Sequence, residues 1–322
     1  MSELGRRAFF TKLFSRGVGI AEKAIPAPIP SLSSLTFPRR QLGNIGEWVP
    51  IVGLGTASLG RGVADDVAAM VLNRAVDAGI NYIDTAPAIG GYGRAQLQIS
   101  RALGTRRNEI FLTTKLFEPD ADSAWRLLER NLAELATDRI DLLFAHSLGD
   151  EKMDPNLVFS ENGVFQTLIK AKEQGIARYI GATAHSRPDR MMRALADYDL
   201  DVVMTAVNYA DVNTYDFENR IWPLARRKGA GVVAMKVFGG IKGGGHTPAK
   251  ITPERQERAL RYALSQEGCA SAVIGMISLE ELEQNISRAR ACMPLNENEK
   301  AELSTEGKQL SEQWGPHLGP LD

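Results

Sequence analysis

Ile140-Asp141-Leu142-Leu143-Phe144-Ala145-His146 carries one charge near its start and an imidazole at its end. A strand with one wetted face alternates apolar and polar residues, and Leu142 to Ala145 does not alternate. Such a strand is covered on both faces, as strands of a parallel sheet are. Working outward from it, the same unit returns in both directions. Upstream, Asp122 to Leu135 sets Trp125, Leu128, Leu132 and Leu135 on one helical face. Before that helix stand the strand Glu109 to Lys115, the helix Arg94 to Leu103 and the strand Asn81 to Ala86. Before those comes a helix opened by Asp65-Asp66 and ended by Gly79. Downstream, Val164 to Gln174 reads as a helix stopped by Gly175, followed by the strand Arg178 to Thr183. Helices Pro188 to Ala196, Tyr215 to Lys228, Pro253 to Ser265 and Leu279 to Ala291 then alternate with strands Leu200 to Val207, Gly231 to Met235 and Ser271 to Gly275.

Counted from Ile51 to Thr56, this gives eight strands, each followed by a helix, with a repeat of roughly 30 residues. Eight such units predict a closed (β/α)8 barrel. The rival is a doubly wound open sheet, but the first turn, Gly53-Leu54-Gly55-Thr56-Ala57-Ser58-Leu59-Gly60, does not space its glycines as GxGxxG. Ahead of the barrel, Arg39 to Trp48 reads as a β-hairpin turning at Gly43-Asn44 and Gly46, placed to plug the amino-terminal end. The expected organisation is a tail over residues 1–36, the barrel over 37–304 and a tail over 305–322.

Composition narrows the partners. Lys+Arg 38 against Asp+Glu 39 gives a net charge of -1. The clusters Arg39-Arg40, Arg106-Arg107 and Arg226-Arg227-Lys228 are short and scattered, which predicts solvated faces and no nucleic-acid partner. Cys269 and Cys292 are isolated, and His146, His185, His246 and His317 show no HExxH spacing, so no protein-held metal is expected. No apolar run approaches the roughly 20 residues that span a bilayer. Arg6-Arg7 followed by Phe9-Phe10 has the pattern of a twin-arginine export signal, but Arg16, Glu22 and Lys23 interrupt the apolar stretch that should follow. The expectation is a cytoplasmic protein, with export to the periplasm as the alternative. Nothing in the sequence fixes an oligomeric state.

In a barrel the carboxyl ends of the strands converge on one face, where residues distant in sequence meet. Three consecutive strands here end in Asp84, Lys115 and His146. An ammonium buried after Phe111-Leu112-Thr113-Thr114 needs a carboxylate partner, and Asp84 is at hand. His146 is the group suited to donating a hydrogen bond or a proton near neutral pH. After Asp84, Pro87 with Gly90, Gly91 and Gly93 forbids regular structure and sets Tyr92 on a tight exposed loop. Gly53 and Gly55 would let a ligand approach the first strand end. The stretch Lys236 to Gly245 holds five glycines and two lysines, suited to wrapping a pyrophosphate. Gly275 to Ser278 leads into a helix whose start can hold a phosphate.

These residues fall into a pattern that resembles the aldo-keto reductases. The resemblance is carried by Arg40 to Ser58 (RQLGNIGEWVPIVGLGTAS), Asp84-Thr85-Ala86, Thr113-Thr114-Lys115, Leu128 to His146, Gly181-Ala182-Thr183 and Val273 to Asn285 (VIGMISLEELEQN). It spans roughly Arg39 to Leu303, and it implies a (β/α)8 barrel that binds NAD(P)H across the rim and carries an Asp, Tyr, Lys and His tetrad. Asp84, Lys115 and His146 match that tetrad. The tyrosine does not: five positions after Asp84 stands Ile89. Tyr92 lies three positions further, where Gly90-Gly91 would let it swing into place; otherwise His146 is the remaining acid. On the cofactor side, the resemblance implicates Gly55, Thr56 and Asp84 at the first strand ends, and Thr183 where the family's carboxamide-binding Ser stands. Ala184 replaces the following Asn, Ala206 a Gln, and Met235 the aromatic that stacks on nicotinamide. Lys236, Gly239 and Gly240 would face the phosphates. Gly275, Met276, Ser278, Glu281 and Asn285 would hold the adenosine half. Glu281 stands where the family often has a phosphate-binding Arg, and Glu280 and Glu283 flank it, which favours NAD(H) over NADP(H) unless Lys242 or Arg288 reaches the 2′-phosphate. The implied function is NAD(P)-dependent hydride transfer to or from a small carbonyl or hydroxyl compound. The alternative is a nucleotide-binding barrel of this family with weak or no redox activity, serving as a sensor or partner subunit.

Overall fold

The computed structural model describes residues 37–240 and 250–322. The tail 1–36 with its paired arginines, and residues 241–249 with Lys242, lie outside the described residues. Arg39–Gln41 (β1) and Trp48–Pro50 (β2) pair antiparallel, with Arg39 opposite Pro50. Gly43 and Gly46 between them adopt φ +55° and +81°, the left-handed region that glycine enters without strain.

The chain then alternates as its periodicity requires. Strands Val52–Gly55 (β3), Tyr82–Asp84 (β4), Phe111–Leu116 (β5), Ile140–Ala145 (β6), Ala177–Ala184 (β7), Val202–Ala206 (β8), Gly231–Met235 (β9) and Cys269–Gly275 (β10) pair in sequence order, all parallel. β10 returns to β3, setting Ala272 opposite Val52 and Gly275 opposite Gly55, so the sheet closes into a barrel. Every residue of β5 and β6 is buried, and the apolar runs that predicted two covered faces have them. The outer helices start and stop where local chemistry dictates. The helix Ala121–Leu135 begins with the Asp120 carboxylate accepting from Ser123 N at 2.9 Å, and it buries Trp125, Leu128, Leu132 and Leu135 against the strands. The helix Asp65–Ala78 ends at Gly79, φ +97°.

The hairpin closes the amino-terminal end of the barrel, as expected. Asn44 N donates to Gly229 O at 2.9 Å, and the fully buried Leu42 packs against Gly231 at the start of β9. Arg178, at the start of β7, ties Glu47 of the hairpin to Asp141 of β6.

Three segments depart from the sequence reading. The expected helix Tyr215 to Lys228 is two, Phe217–Arg220 and Trp222–Arg227, because Pro223 has no N–H to continue the ladder. A short helix, Ala57–Gly62, follows β3 where no element was expected. A long helix, Glu297–Trp314, runs through residue 304, so the expected barrel–tail boundary falls inside it. Its start is a capping box: Asn296 and Glu299 each accept from the other's backbone N–H at 2.9 Å.

Candidate active site

Strand register decides which side chains meet. Asp84, the last residue of β4, pairs across to Thr113 of β5, and Lys115 of β5 to Phe144 of β6. The rim therefore gathers Asp84, Lys115 and His146 from consecutive strands. Lys115 Nζ lies 2.7 and 2.8 Å from the two Asp84 oxygens and 2.8 Å from Thr85 O, with 1% and 3% of the two side chains exposed. Thr113 Oγ1 adds a donor to Asp84 Oδ1 at 2.7 Å. An ammonium and a carboxylate this deep are tolerable only because each satisfies the other.

Tyr92 completes the group. Ile89 stands on a short 3-10 turn, Ala88–Gly90, and is 42% exposed. Past it, Gly91 (φ +86°) and Gly93 (φ +53°) reverse the chain, so the Tyr92 hydroxyl comes 3.2 Å from Lys115 Nζ and 3.3 Å from Asp84 Oδ2. The ammonium also sits 4.7 Å from the ring centroid. Tyr92 is thus half-buried at the site and not a surface aromatic. Burial and the Asp84 carboxylate raise its pKa well above 10.0.

His146 follows β6 with its N–H bonded to Leu116 O at 2.9 Å. Its ring stands edge-on to Tyr92 and Phe117, at centroid distances of 6.1 and 5.2 Å. Burial first, then Lys115, His185 and Lys236, hold its pKa well below 6.5, so the imidazole is neutral. Nδ1 has no hydrogen-bond partner among the described residues.

From this group a cleft of about 760 Å³ runs along the rim. Gly55, Met235, Lys236, Gly240, Gly275, Glu281 and Asn285 line it. Burial, and then Arg61, lower the Lys236 pKa to about 8. Other expected contacts lie behind the lining. Thr183 is fully buried, its Oγ1 accepting from Ser147 N at 2.8 Å, and Ser147 is the residue that faces the cleft. Thr56 is fully buried and donates to Asp84 O at 2.9 Å, fixing β3 to β4. Met276 is buried; Ser278 caps the helix Leu279–Arg290, accepting from Glu281 N at 3.2 Å; Gly239 packs under Trp314. Glu281 reaches back to Ile277 N at 2.9 Å, while Glu283 turns away to pair with Arg74 at 2.7 Å.

Sequence reasoning missed Arg61, Ser147, Asp150 and His185, all on the cleft wall. Ser147 has φ +53°, and His185 Nδ1 is 3.1 Å from its hydroxyl. His185 directly follows β7, which ends at Ala184, and that strand-end position was the available signal. Arg190 was equally invisible: it donates to the carbonyls of Leu148, Asp150 and Met153 at 3.0, 3.2 and 2.9 Å and fixes the wall's shape.

The Aldo/keto reductase family profile matches residues 51–258, and the chain belongs to that family. It is 31% identical over 224 residues to the D-threo-aldose 1-dehydrogenase of a Pseudomonas species, an overlap covering 59% of this chain and 66% of that protein. To the L-galactose dehydrogenase of Arabidopsis thaliana it is 26% identical over 284 residues, covering 77% and 86%. The holo form of aldo-keto reductase AKR11C1 from Bacillus halodurans shares the fold, with a TM-score of 0.67 over 84% of this chain and 96% of that one, at 22% identity. Family and relatives together make the chain an oxidoreductase.

Proposed function

We propose that the chain interconverts the carbonyl and alcohol forms of a small hydroxylated compound, with a nicotinamide dinucleotide as hydride carrier. The observation that carries this is the Tyr92 hydroxyl lying 3.2 Å from Lys115 Nζ although the residue stands out of the expected register. The cleft suits the cofactor. Gly275 keeps the end of β10 open, since a Cβ there would come 3.0 Å from Ser58 Oγ, and Lys236 and Arg288 line the wall where phosphates would lie. When bound, the dinucleotide supplies or accepts the hydride. His146, neutral, would donate an N–H to the carbonyl oxygen and orient it. Tyr92, whose raised pKa keeps it protonated, would give its proton to that oxygen as negative charge develops there. Lys115 would stabilise the phenolate left behind, and Asp84 would keep Lys115 charged and fixed.

Ser147, Asp150 and His185 on the cleft wall can hydrogen-bond a hydroxylated substrate, and the sugar dehydrogenases among the relatives favour the same class. For the cofactor, the Glu281 carboxylate held against the cleft would repel a 2′-phosphate and accept from a free ribose hydroxyl, so NAD(H) should bind at least as tightly as NADP(H). Turnover of both cofactors with aldoses, aliphatic aldehydes and ketones tests the reading, together with their dissociation constants from fluorescence quenching. Expected is turnover with an aldose. Tight NADH binding without turnover of any substrate would overturn it in favour of a barrel that only binds nucleotide. A dissociation constant for NADPH tenfold below that for NADH, about 1.4 kcal/mol, would reverse the cofactor preference and point to Arg288.

A further inference from the structure

We propose that Arg61, seated beside Gly60 on the short helix Ala57–Gly62, is the positioning residue that holds Tyr92 in place for proton transfer. This rests on Tyr92 being the proton donor. The tyrosine sits three residues beyond its expected register on a loop containing Gly90, Gly91 and Gly93, and such a loop has no conformational preference of its own to keep a phenol against Lys115. Two contacts supply what the loop lacks, and both come from the short helix after β3.

The first is a close backbone approach. Arg94 N donates to Gly60 O at 2.9 Å, and a Cβ on Gly60 would lie 2.5 Å from Ala95 N and would fall onto the Tyr92 carbonyl. The loop therefore rests directly on the helix, which only glycine at position 60 permits. The second contact is Arg61 Nε donating to Gly91 O. With φ +86°, Gly91 turns that carbonyl toward the guanidinium, and the guanidinium group passes along the cleft wall. Gly91 is the residue immediately before Tyr92, so fixing its carbonyl fixes the direction from which the phenol enters the site. The positive charge also acts on the phenol, lowering its pKa against the larger effects of burial and Asp84.

The test combines Arg61→Ala, Arg61→Lys, Gly60→Ala, Tyr92→Phe and the double variant Arg61→Ala/Tyr92→Phe. Measured are kcat, the NADH dissociation constant and the pH profile of alcohol oxidation. Displacing a catalytic group by about 1 Å can cost up to about 100-fold. Arg61→Ala and Gly60→Ala should therefore lower kcat by about tenfold or more, with NADH binding within about threefold of the parent. Arg61→Lys, which can still donate to Gly91 O, should recover most of the loss. In alcohol oxidation the phenolate is the base, so the acid-side limb, on which the rate rises as Tyr92 loses its proton, should move to higher pH in Arg61→Ala but not in Gly60→Ala. In the Tyr92→Phe background, removing Arg61 should cost nothing further. The proposal falls if Arg61→Ala keeps the parental kcat, if its loss recurs undiminished in Tyr92→Phe, or if the loss follows weakened NADH binding. Full activity of Tyr92→Phe would instead sink the proton-donor reading itself, a result distinct from any of these.

Discussion

Lys115 and Asp84 set the terms at the level of single residues, since neither tolerates burial alone. Lys115→Met should abolish turnover and leave Asp84 buried with the Thr113 hydroxyl and Tyr92 as its side-chain partners among the described residues, at a cost of about 3 kcal/mol. Adding Asp84→Asn should restore the stability and none of the activity. Denaturant midpoints of the two variants decide it: a double variant no more stable than Lys115→Met would show that the carboxylate was not stranded. The position of the tyrosine gives a second prediction. Ile89 is 42% exposed on its turn, so Ile89→Tyr in a Tyr92→Phe background should not restore activity. Recovery of parental kcat in that variant would mean that the loop can shift register. Asp84, Lys115 and His146 were legible because each ends an apolar run, and a polar residue there has no structural reason to be present. The seat of Tyr92 was not legible, since a loop of glycines carries no pattern that says where its one large side chain goes. Thr183 shows the opposite failure. Its place in the chain was read well, but its hydroxyl turns inward to Ser147 N, and no strand periodicity reports that.

The elements were read from periodicity, and they fail where periodicity is short or interrupted. Ala57–Gly62 is a six-residue helix with glycine at positions 60 and 62, so its composition argues against helix while its packing against the Tyr92 loop enforces one. Breaking the expected helix at Pro223 creates Phe217–Arg220, and that fragment carries a buried acid. Glu218 is 7% exposed and accepts from Tyr262 OH of the helix Pro253–Ser265 at 2.9 Å. Burial, assisted by Asp216 and Asp211, pushes its pKa from 4.5 up to about 8. Because the folded value is the higher one, the folded protein retains a proton between pH 4.5 and about 8 that the unfolded chain has lost. Stability contributed by this group is therefore full below pH 4.5 and falls as pH rises through that window, by up to about 1.4 kcal/mol per unit. Glu218→Gln keeps an acceptor for Tyr262 and removes the titration. Urea midpoints at pH 5 and pH 8 should fall less in the variant than in the parent, and parallel falls would refute the buried-acid account.

At the scale of the molecule, the hairpin closes one end of the barrel and the carboxyl-terminal residues cross the other. Trp314 lies over Gly239 in the loop after β9, and Lys250 Nζ sits 4.9 Å from its ring centroid. His317 Nε2 meets Asp211 Oδ1, in the loop after β8, at 2.8 Å. Leu318 is buried, with its N–H donating to Tyr215 OH at 2.8 Å, and Arg187 N, after β7, donates to Pro320 O at 3.1 Å. One segment thus ties three rim loops whose strands are far from it in sequence. The sequence suggested a separate tail over 305–322 because the residues after Trp314 have no periodicity, and the contacts that anchor them to Asp211, Tyr215 and Arg187 are long-range. The Asn296 and Glu299 spacing that opens the preceding helix was available to be read. Deleting residues 315–322 should leave Asp211, only 2% exposed, without its histidine and should expose the apolar surface that Leu318 covers. Together these amount to about 3 kcal/mol, or a fall in Tm of about 4 °C for a chain of this size. The loop at Gly239-Gly240 would also lose the frame that Trp314 shares with His317, whose rings stand 5.2 Å apart. NADH should consequently bind more weakly to the truncated chain, while Arg187→Ala, which removes the guanidinium's bonds to Asp322 O and Gly149 O and leaves Trp314 and His317 in place, should change Tm and not binding. Thermal melts and fluorescence titrations of both variants separate the two effects. A truncated chain with parental Tm and parental affinity would show that the segment merely lies on the rim without holding it.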